Sequence, residues 1–158
     1  MQDLFTKADE FFMTEAINEA KLAKSIDEVP IGAVVVCGER IVGRGHNFTY
    51  KGKSALNHAE IYALKEAGKN IGDFRLEECT MYVTLEPCIM CAGAIMHSRI
   101  KRLVIACKDP KRGGFSTSFI DKDSPHLNVP DISYGLMEEE SLRELQSFFR
   151  ALRAKKKS

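Results

Sequence analysis

The first clear rhythm runs over residues 3–24, where Phe5, Ala8, Phe12, Ala16 and Ala20 fall at three- and four-residue steps. Side chains at those steps share one helix face, so the spacing predicts an amphipathic helix with a single buried stripe. Asp27-Glu28-Val29-Pro30 ends it, because Pro30 pushes Val29 out of the helical region. Residues 31–37 are apolar and β-branched, Gly38-Glu39-Arg40 is a turn, and 41–46 reads as the return strand of a hairpin. Residues 47–57 are polar, contain Gly52 and predict a loop, while 58–67 predicts a helix with Gly68 as its C-cap. A strand over 80–85, a small-residue helix over 88–97 with Pro87 in its opening turn, and a strand over 103–107 follow in close order. That order predicts a βαβ unit with parallel strands. Residues 109–123, rich in Gly, Ser and Lys, predict a loop with room for a short helix. A last extended segment falls at 129–133, and a long terminal helix over 138–155 puts Leu142, Leu145, Phe149 and Leu152 on one face. A hairpin followed by βα units predicts an α/β fold in one domain over residues 1–158, with one mixed sheet and helices on both faces.

The composition agrees with a packed domain. The chain has 158 residues, 44% of them hydrophobic and 28% charged, which excludes a disordered chain. No apolar run approaches the ~20 residues of a membrane helix. The start, Met1-Gln2-Asp3-Leu4-Phe5, lacks the basic and apolar stretches of a signal peptide, so the expected location is the cytosol, with no membrane partner. Five cysteines is an odd number, and Cys88 and Cys91 stand three positions apart. In a reducing compartment that spacing points to metal or redox chemistry instead of a disulfide framework. The formal charge of +1 argues against a uniformly basic nucleic-acid binder. It averages two unlike ends, however. Residues 1–28 carry seven acidic and three basic side chains, and residues 143–157 carry one acidic and six basic. A salt-dependent RNA contact can rest on that local excess.

The chemistry is concentrated in His58-Ala59-Glu60 and Pro87-Cys88-Ile89-Met90-Cys91. Two thiolates and an imidazole form a borderline-soft ligand set suited to Zn²⁺. Cys88 and Cys91 lie one turn apart at a predicted helix start, where the helix dipole and free N–H groups favour thiolates. Three protein ligands leave a fourth position for water, the pattern of a catalytic site, and bound water of this kind ionises near neutral pH. Glu60, two residues from His58, is placed to carry that water's proton to a ring nitrogen and a leaving amine. The joint pattern H-x-E with P-C-x-x-C matches the zinc nucleobase deaminases. Two blander readings stand beside it: a thioredoxin-like redox pair for Cys88 and Cys91, and an N-cap with its N3 partner for Asn57 and Glu60. Neither explains the joint pattern. Cys37, Cys79 and Cys107 read as small buried hydrophobes, and His46, His97 and His126 as structural or exposed.

Beyond the zinc motif, Val29-Pro30-Ile31-Gly32-Ala33-Val34, the run from Tyr82 through Thr84-Leu85-Glu86-Pro87-Cys88-Ile89-Met90-Cys91-Ala92-Gly93-Ala94 to Ser98-Arg99-Ile100, and Phe148-Phe149-Arg150 resemble the bacterial tRNA-specific adenosine deaminases. The resemblance spans nearly the whole chain in order and spacing. It implies a three-layer α/β/α sandwich of the cytidine-deaminase type, a homodimer, and hydrolytic conversion of adenosine to inosine at the wobble position of an arginine tRNA. By matching position, His58, Cys88 and Cys91 hold one Zn²⁺ per subunit and Glu60 shuttles the proton. Asn47 hydrogen-bonds the flipped base, and Val29 with the backbone near Leu85 and Glu86 lines its pocket. Asp109 and Lys111 contact nucleotides of the anticodon stem-loop, and the terminal helix around Phe149, Arg150 and Arg153 packs near it. Leu56-Asn57 and Leu127-Asn128-Val129 depart from the family pattern. Two alternatives stand beside this expectation: a free nucleobase or nucleoside deaminase of guanine or cytosine type, and a non-catalytic zinc-stabilised RNA-binding module.

Overall fold

A computed structural model of the chain describes residues 4–157. Residue 3, where the periodicity starts the first helix, lies outside the described residues. In chain order the elements are α1 (Lys7–Ser25), β1 (Gly32–Cys37), β2 (Arg40–His46), α2 (Thr49–Gly52), α3 (Ala59–Ile71), β3 (Cys79–Leu85), α4 (Ile89–His97), β4 (Arg102–Cys107), β5 (Asp131–Tyr134) and α5 (Glu138–Lys157). The strands form one mixed sheet in the order β2-β1-β3-β4-β5. β1 is antiparallel to both β2 and β3, and β3, β4 and β5 run parallel. β1 and β3 are apolar almost throughout because both their faces are covered. One face packs Val34, Val36, Tyr82 and Val104 against Phe12, Met13, Ala16 and Ile17 of α1. The other packs Val35, Met81, Val83 and Ile105 against Ala59, Ala63 and Ala67 of α3 and Ile95 of α4. This is the expected three-layer α/β/α arrangement.

Several boundaries differ from the sequence reading. The stripe of α1 that faces the sheet is Asp9, Phe12, Met13, Ala16, Ile17, Ala20 and Ala23, and Ala8 is exposed. The polar stretch 47–57 contains the short helix α2. Its Tyr50 and Lys51 N–H groups donate to the carboxylate of Glu28, 3.0 and 2.8 Å away, a distant partner that local composition does not reveal. Helix α3 runs through Gly68 to Ile71. The cap falls at Gly72, whose φ of +82° suits a residue without a Cβ and whose N–H reaches Gly68 O. Pro87 sits one place before the N-cap Cys88 and so outside the first turn of α4. On α5, Leu145 and Ser141 are buried, whereas Leu142 and Phe149 are 40% and 41% exposed. Of the expected line, Leu145 is buried and Leu152 half-buried, while Ser141 takes the buried place expected of Leu142.

An ion pair between buried Asp9 and half-buried Arg102 ties the α1 layer to the sheet. Asp9 Oδ1 accepts from Tyr82 Oη at 2.7 Å and Arg102 Nη1 at 2.8 Å, and its Oδ2 accepts from Arg102 Nη2 and the Thr6 N–H at 3.0 Å. The Thr6 hydroxyl in turn accepts the Asp9 N–H, closing a capping box on α1. Burial pushes the Asp9 carboxyl up, but Arg102, Tyr82 and Thr6 together outweigh it and hold it well below the usual carboxylate range. A carboxylate depressed on folding contributes stability above its unfolded value, near 3.8, and that contribution is lost as pH falls toward the folded value. Asp9→Asn is therefore expected to lower unfolding stability by about 2 kcal/mol at pH 7. Urea melts at pH 7 and below pH 3 check it. The gap between wild type and variant should narrow in acid, and a gap independent of pH would contradict the assignment.

Candidate metal and deaminase site

The site lies at the end of the sheet where β3 runs out, beside the change from antiparallel to parallel pairing. In open α/β sheets this edge is where ligands bind. Two helices begin there. His58 is the N-cap residue of α3 and Cys88 that of α4, both extended, with φ of −87° and −67°. Neither side chain caps its own helix, so both are free to point into the gap between the helix starts. Cys91, one turn into α4, is fully buried beside them. His58 Nδ1 lies 3.7 Å from Cys88 Sγ and 3.5 Å from Cys91 Sγ, and the three donor atoms all fall within 4.8 Å of one another. A tetrahedral Zn²⁺ with ordinary Zn–N and Zn–S bonds sets N-to-S edges of about 3.6 Å, so the donors fit that ion in type and spacing. The electrostatics fit too. Hydrogen bonding from Cys91, with His58 beside it, outweighs burial and draws Cys88 down to about 3. Cys91 is held up as donor to that thiolate, and His58 is raised chiefly by Cys88. Of the two sulfurs, Cys88 is thus the one whose thiolate form the site favours.

Glu60 follows His58 by two residues on the first turn of α3 and is 3% exposed. Burial pushes its carboxyl up to about 7, with Cys88 adding to the rise, while its own N–H, His58 and Cys91 oppose it. The capping-box reading of Asn57 with Glu60 is overturned. His58 is the N-cap, and the Asn57 amide donates instead to Phe48 O at 3.2 Å. The free N–H at the start of α3 is served from elsewhere: Ala59 N–H donates to Asn47 Oδ1 at 2.9 Å. Asn47 is nearly buried and stands directly after β2. With Oδ1 engaged, its Nδ2 is the side left for a ligand. Gly45, on the same strand, allows α3 to lie close, since a Cβ there would strike Ala59 O.

The other expected site residues fall into three groups. Val29 and Leu85 are half-buried in the turn before β1 and at the end of β3, at the same edge of the sheet. Asp109 and Lys111 lie on the loop after β4. Asp109 Oδ1 accepts the N–H groups of Lys111 and Arg112 at 3.2 and 3.0 Å, and Lys111 is exposed. Phe149, Arg150 and Arg153 are exposed on α5. That helix packs beside α1, on the sheet face opposite the His58, Cys88 and Cys91 cluster. The far end of α5 returns to the site edge, because Lys155 Nζ lies 3.9 Å from Asp27 Oδ1, two residues before Val29. Sequence reasoning missed the carboxylates of Glu28 and Glu86 as organisers of loops. Their backbone partners lie more than twenty residues away, and no local pattern marks such pairs.

A layered α/β/α sheet with a His/Cys/Cys donor set on two helix starts and a buried glutamate beside it defines a zinc deaminase. The model of the cytidine and deoxycytidylate deaminase zinc-binding region matches residues 6–107. The chain is 44% identical over 152 residues to the tRNA-specific adenosine deaminase of Bacillus subtilis, covering 95% of this chain and 94% of that one. It is 43% identical over 151 residues to the protein of the same name from Haemophilus influenzae, covering 94% and 87%. A solved structure from work on A-to-I editing by tRNA:A34 deaminases at the wobble position of transfer RNA superposes with a TM-score of 0.80. It is 41% identical and covers 85% of this chain and 99% of that one. The chain belongs to the tRNA-specific adenosine deaminases within this zinc-binding family.

Proposed function

We propose that residues 1–158 form one zinc-dependent deaminase domain that converts adenosine to inosine by hydrolysis at wobble position 34 of an arginine tRNA. The observation that carries this reading is the donor triangle of His58, Cys88 and Cys91 with Glu60 buried beside it. The names of the relatives support the tRNA substrate. His58, Cys88 and Cys91 would hold one Zn²⁺ per subunit, which would supply Lewis acidity and lower the pKa of water at neutral pH. Glu60 takes the proton given up by water, hands it to N1 of the ring and then assists departure of ammonia from C6. Its burial suits both tasks, because a carboxyl shifted toward neutrality takes and returns a proton at similar cost. Asn47 Nδ2 donates to an acceptor on the base edge, and its Oδ1 bond to α3 keeps that donor aimed. Val29 and the backbone at Leu85 and Glu86 wall the pocket. A base must leave its stack to be reached, and anticodon loops offer such bases. Asp109, Lys111, Phe149, Arg150 and Arg153 meet the stem-loop backbone and flanking nucleotides.

The protein acts as a homodimer in the cytoplasm on this reading. The resemblance to the family supports the dimer, as does the small surface a chain of this length offers an anticodon loop. No described helix is long and apolar enough to cross a membrane. Incubation with an arginine tRNA bearing adenosine at the wobble position is expected to yield inosine there, read as guanosine by sequencing. Efficient turnover of free guanine, cytosine or their nucleosides, with the tRNA left unchanged, would overturn the reading.

A further inference from the structure

We propose that Glu86 is a positioning residue: its buried carboxylate holds the loop after β4 against the start of α4, and so presents Asp109 and Lys111 to the substrate. The word substrate rests on the tRNA reading above. Glu86 is 3% exposed and directly precedes the Pro87-Cys88 turn. Its Oε1 accepts from the Asp109 N–H at 3.0 Å and the Ser116 hydroxyl at 2.7 Å. Its Oε2 accepts from the Phe115 and Ser116 N–H groups at 3.1 and 2.7 Å. One carboxylate thus receives donors from both ends of the loop 109–116. Four donors aimed at one acid call for an acceptor on both oxygens, which an amide cannot supply in either flip. The loop is shaped to the acid as well, since a Cβ on Gly113 would collide with the Glu86 carboxyl.

The same loop lies on the turn that bears a zinc donor. Gly113 forms an antiparallel bridge with Cys88, and Gly114 N–H donates to Pro87 O at 2.8 Å. A Cβ on Gly114 would come within 2.7 Å of the Ala92 Cβ. Phe115 is fully buried in the core on the α3 and α4 face, which fixes one end of the loop. The other end makes the Asp109 turn that leaves Lys111 and Arg112 exposed. Glu86 therefore acts through the loop and has no need to touch the reacting base with its side chain.

The test compares wild type, Glu86→Gln, Lys111→Ala and the double variant. It reads hydrogen exchange over 109–116, zinc content, and kcat and KM on an anticodon stem-loop. Glu86→Gln is expected to speed exchange in that loop and raise KM about tenfold, with kcat within about threefold and one zinc per chain retained. Adding Lys111→Ala on that background should change KM little, because both act through one loop. Unchanged exchange, a loss confined to kcat, or fully additive KM effects would each overturn the proposal. If Glu86→Gln does not fold, Gly113→Ala displaces the same carboxyl from the loop side and should give the same pattern. Wild type inert on the stem-loop would sink the tRNA reading alone, and the exchange measurement would still decide whether Glu86 holds the loop.

Discussion

Glu60→Gln is expected to cut kcat by at least about 10³-fold while the protein keeps one zinc per chain. The side chain is buried beside the three metal donors but is not one of them, so the amide leaves His58, Cys88 and Cys91 intact. The amide also matches the carboxyl in size, so it opens no void at this buried position. What it lacks is an oxygen basic enough to take a proton and return it. In the proposed reaction every proton transfer passes through this one group. The loss should therefore appear in kcat, with KM for the tRNA nearly unchanged. Zinc analysis beside the inosine assay checks it. A Glu60→Gln protein that binds zinc and deaminates at the wild-type rate would mean that the carboxylate carries no proton. A protein whose cellular role survives the change would be a zinc-stabilised RNA-binding module instead.

Removal of zinc is expected to have the second largest effect. Stripping the metal with a chelator should abolish turnover, and added Zn²⁺ should restore it. Cys91→Ala should abolish it beyond rescue. The effect on stability follows from linkage. An ion that binds only the folded chain, free at 1,000 times its Kd, adds about 4 kcal/mol. For a chain of this length that corresponds to a Tm about 10 °C higher. The donors sit at the starts of α3 and α4, so a bound ion would tie those two helix starts together. Scanning calorimetry of the metal-free and reloaded protein measures the shift. Equal Tm values together with undiminished turnover in chelator would show that the donor triangle holds no working metal.

The layers of the fold were legible because burial repeats with a period. Apolar β-branched runs at 31–37, 80–85 and 103–107 became β1, β3 and β4, with ends moved by a residue at most. The zinc donors were legible because ligand chemistry restricts residue type and their spacing within each motif is local. The misses share a different cause. Gly68 looked like a cap but lies inside α3, where Asn70 reaches Val42 O at 2.8 Å and α3 covers β2, so packing carries the helix past it. Phe149 shared an apolar rhythm with Leu145 yet faces solvent, because α5 rests on α1 along the Ser141 and Leu145 line.

By itself the sequence determined the strands and the four long helices, though not α2, and which chemistry the protein holds, since periodicity and ligand type are written in neighbouring residues. Only the tertiary structure decided how that chemistry is aimed. It brought His58 to within 3.7 Å of a cysteine thirty residues on. It assigned Asn47 to the start of α3, and it gave the carboxylates of Glu28 and Glu86 their loops. The physical reason is common to all three: a buried carboxylate or amide must find hydrogen-bond partners, and those partners are chosen by which segments the packed layers bring together.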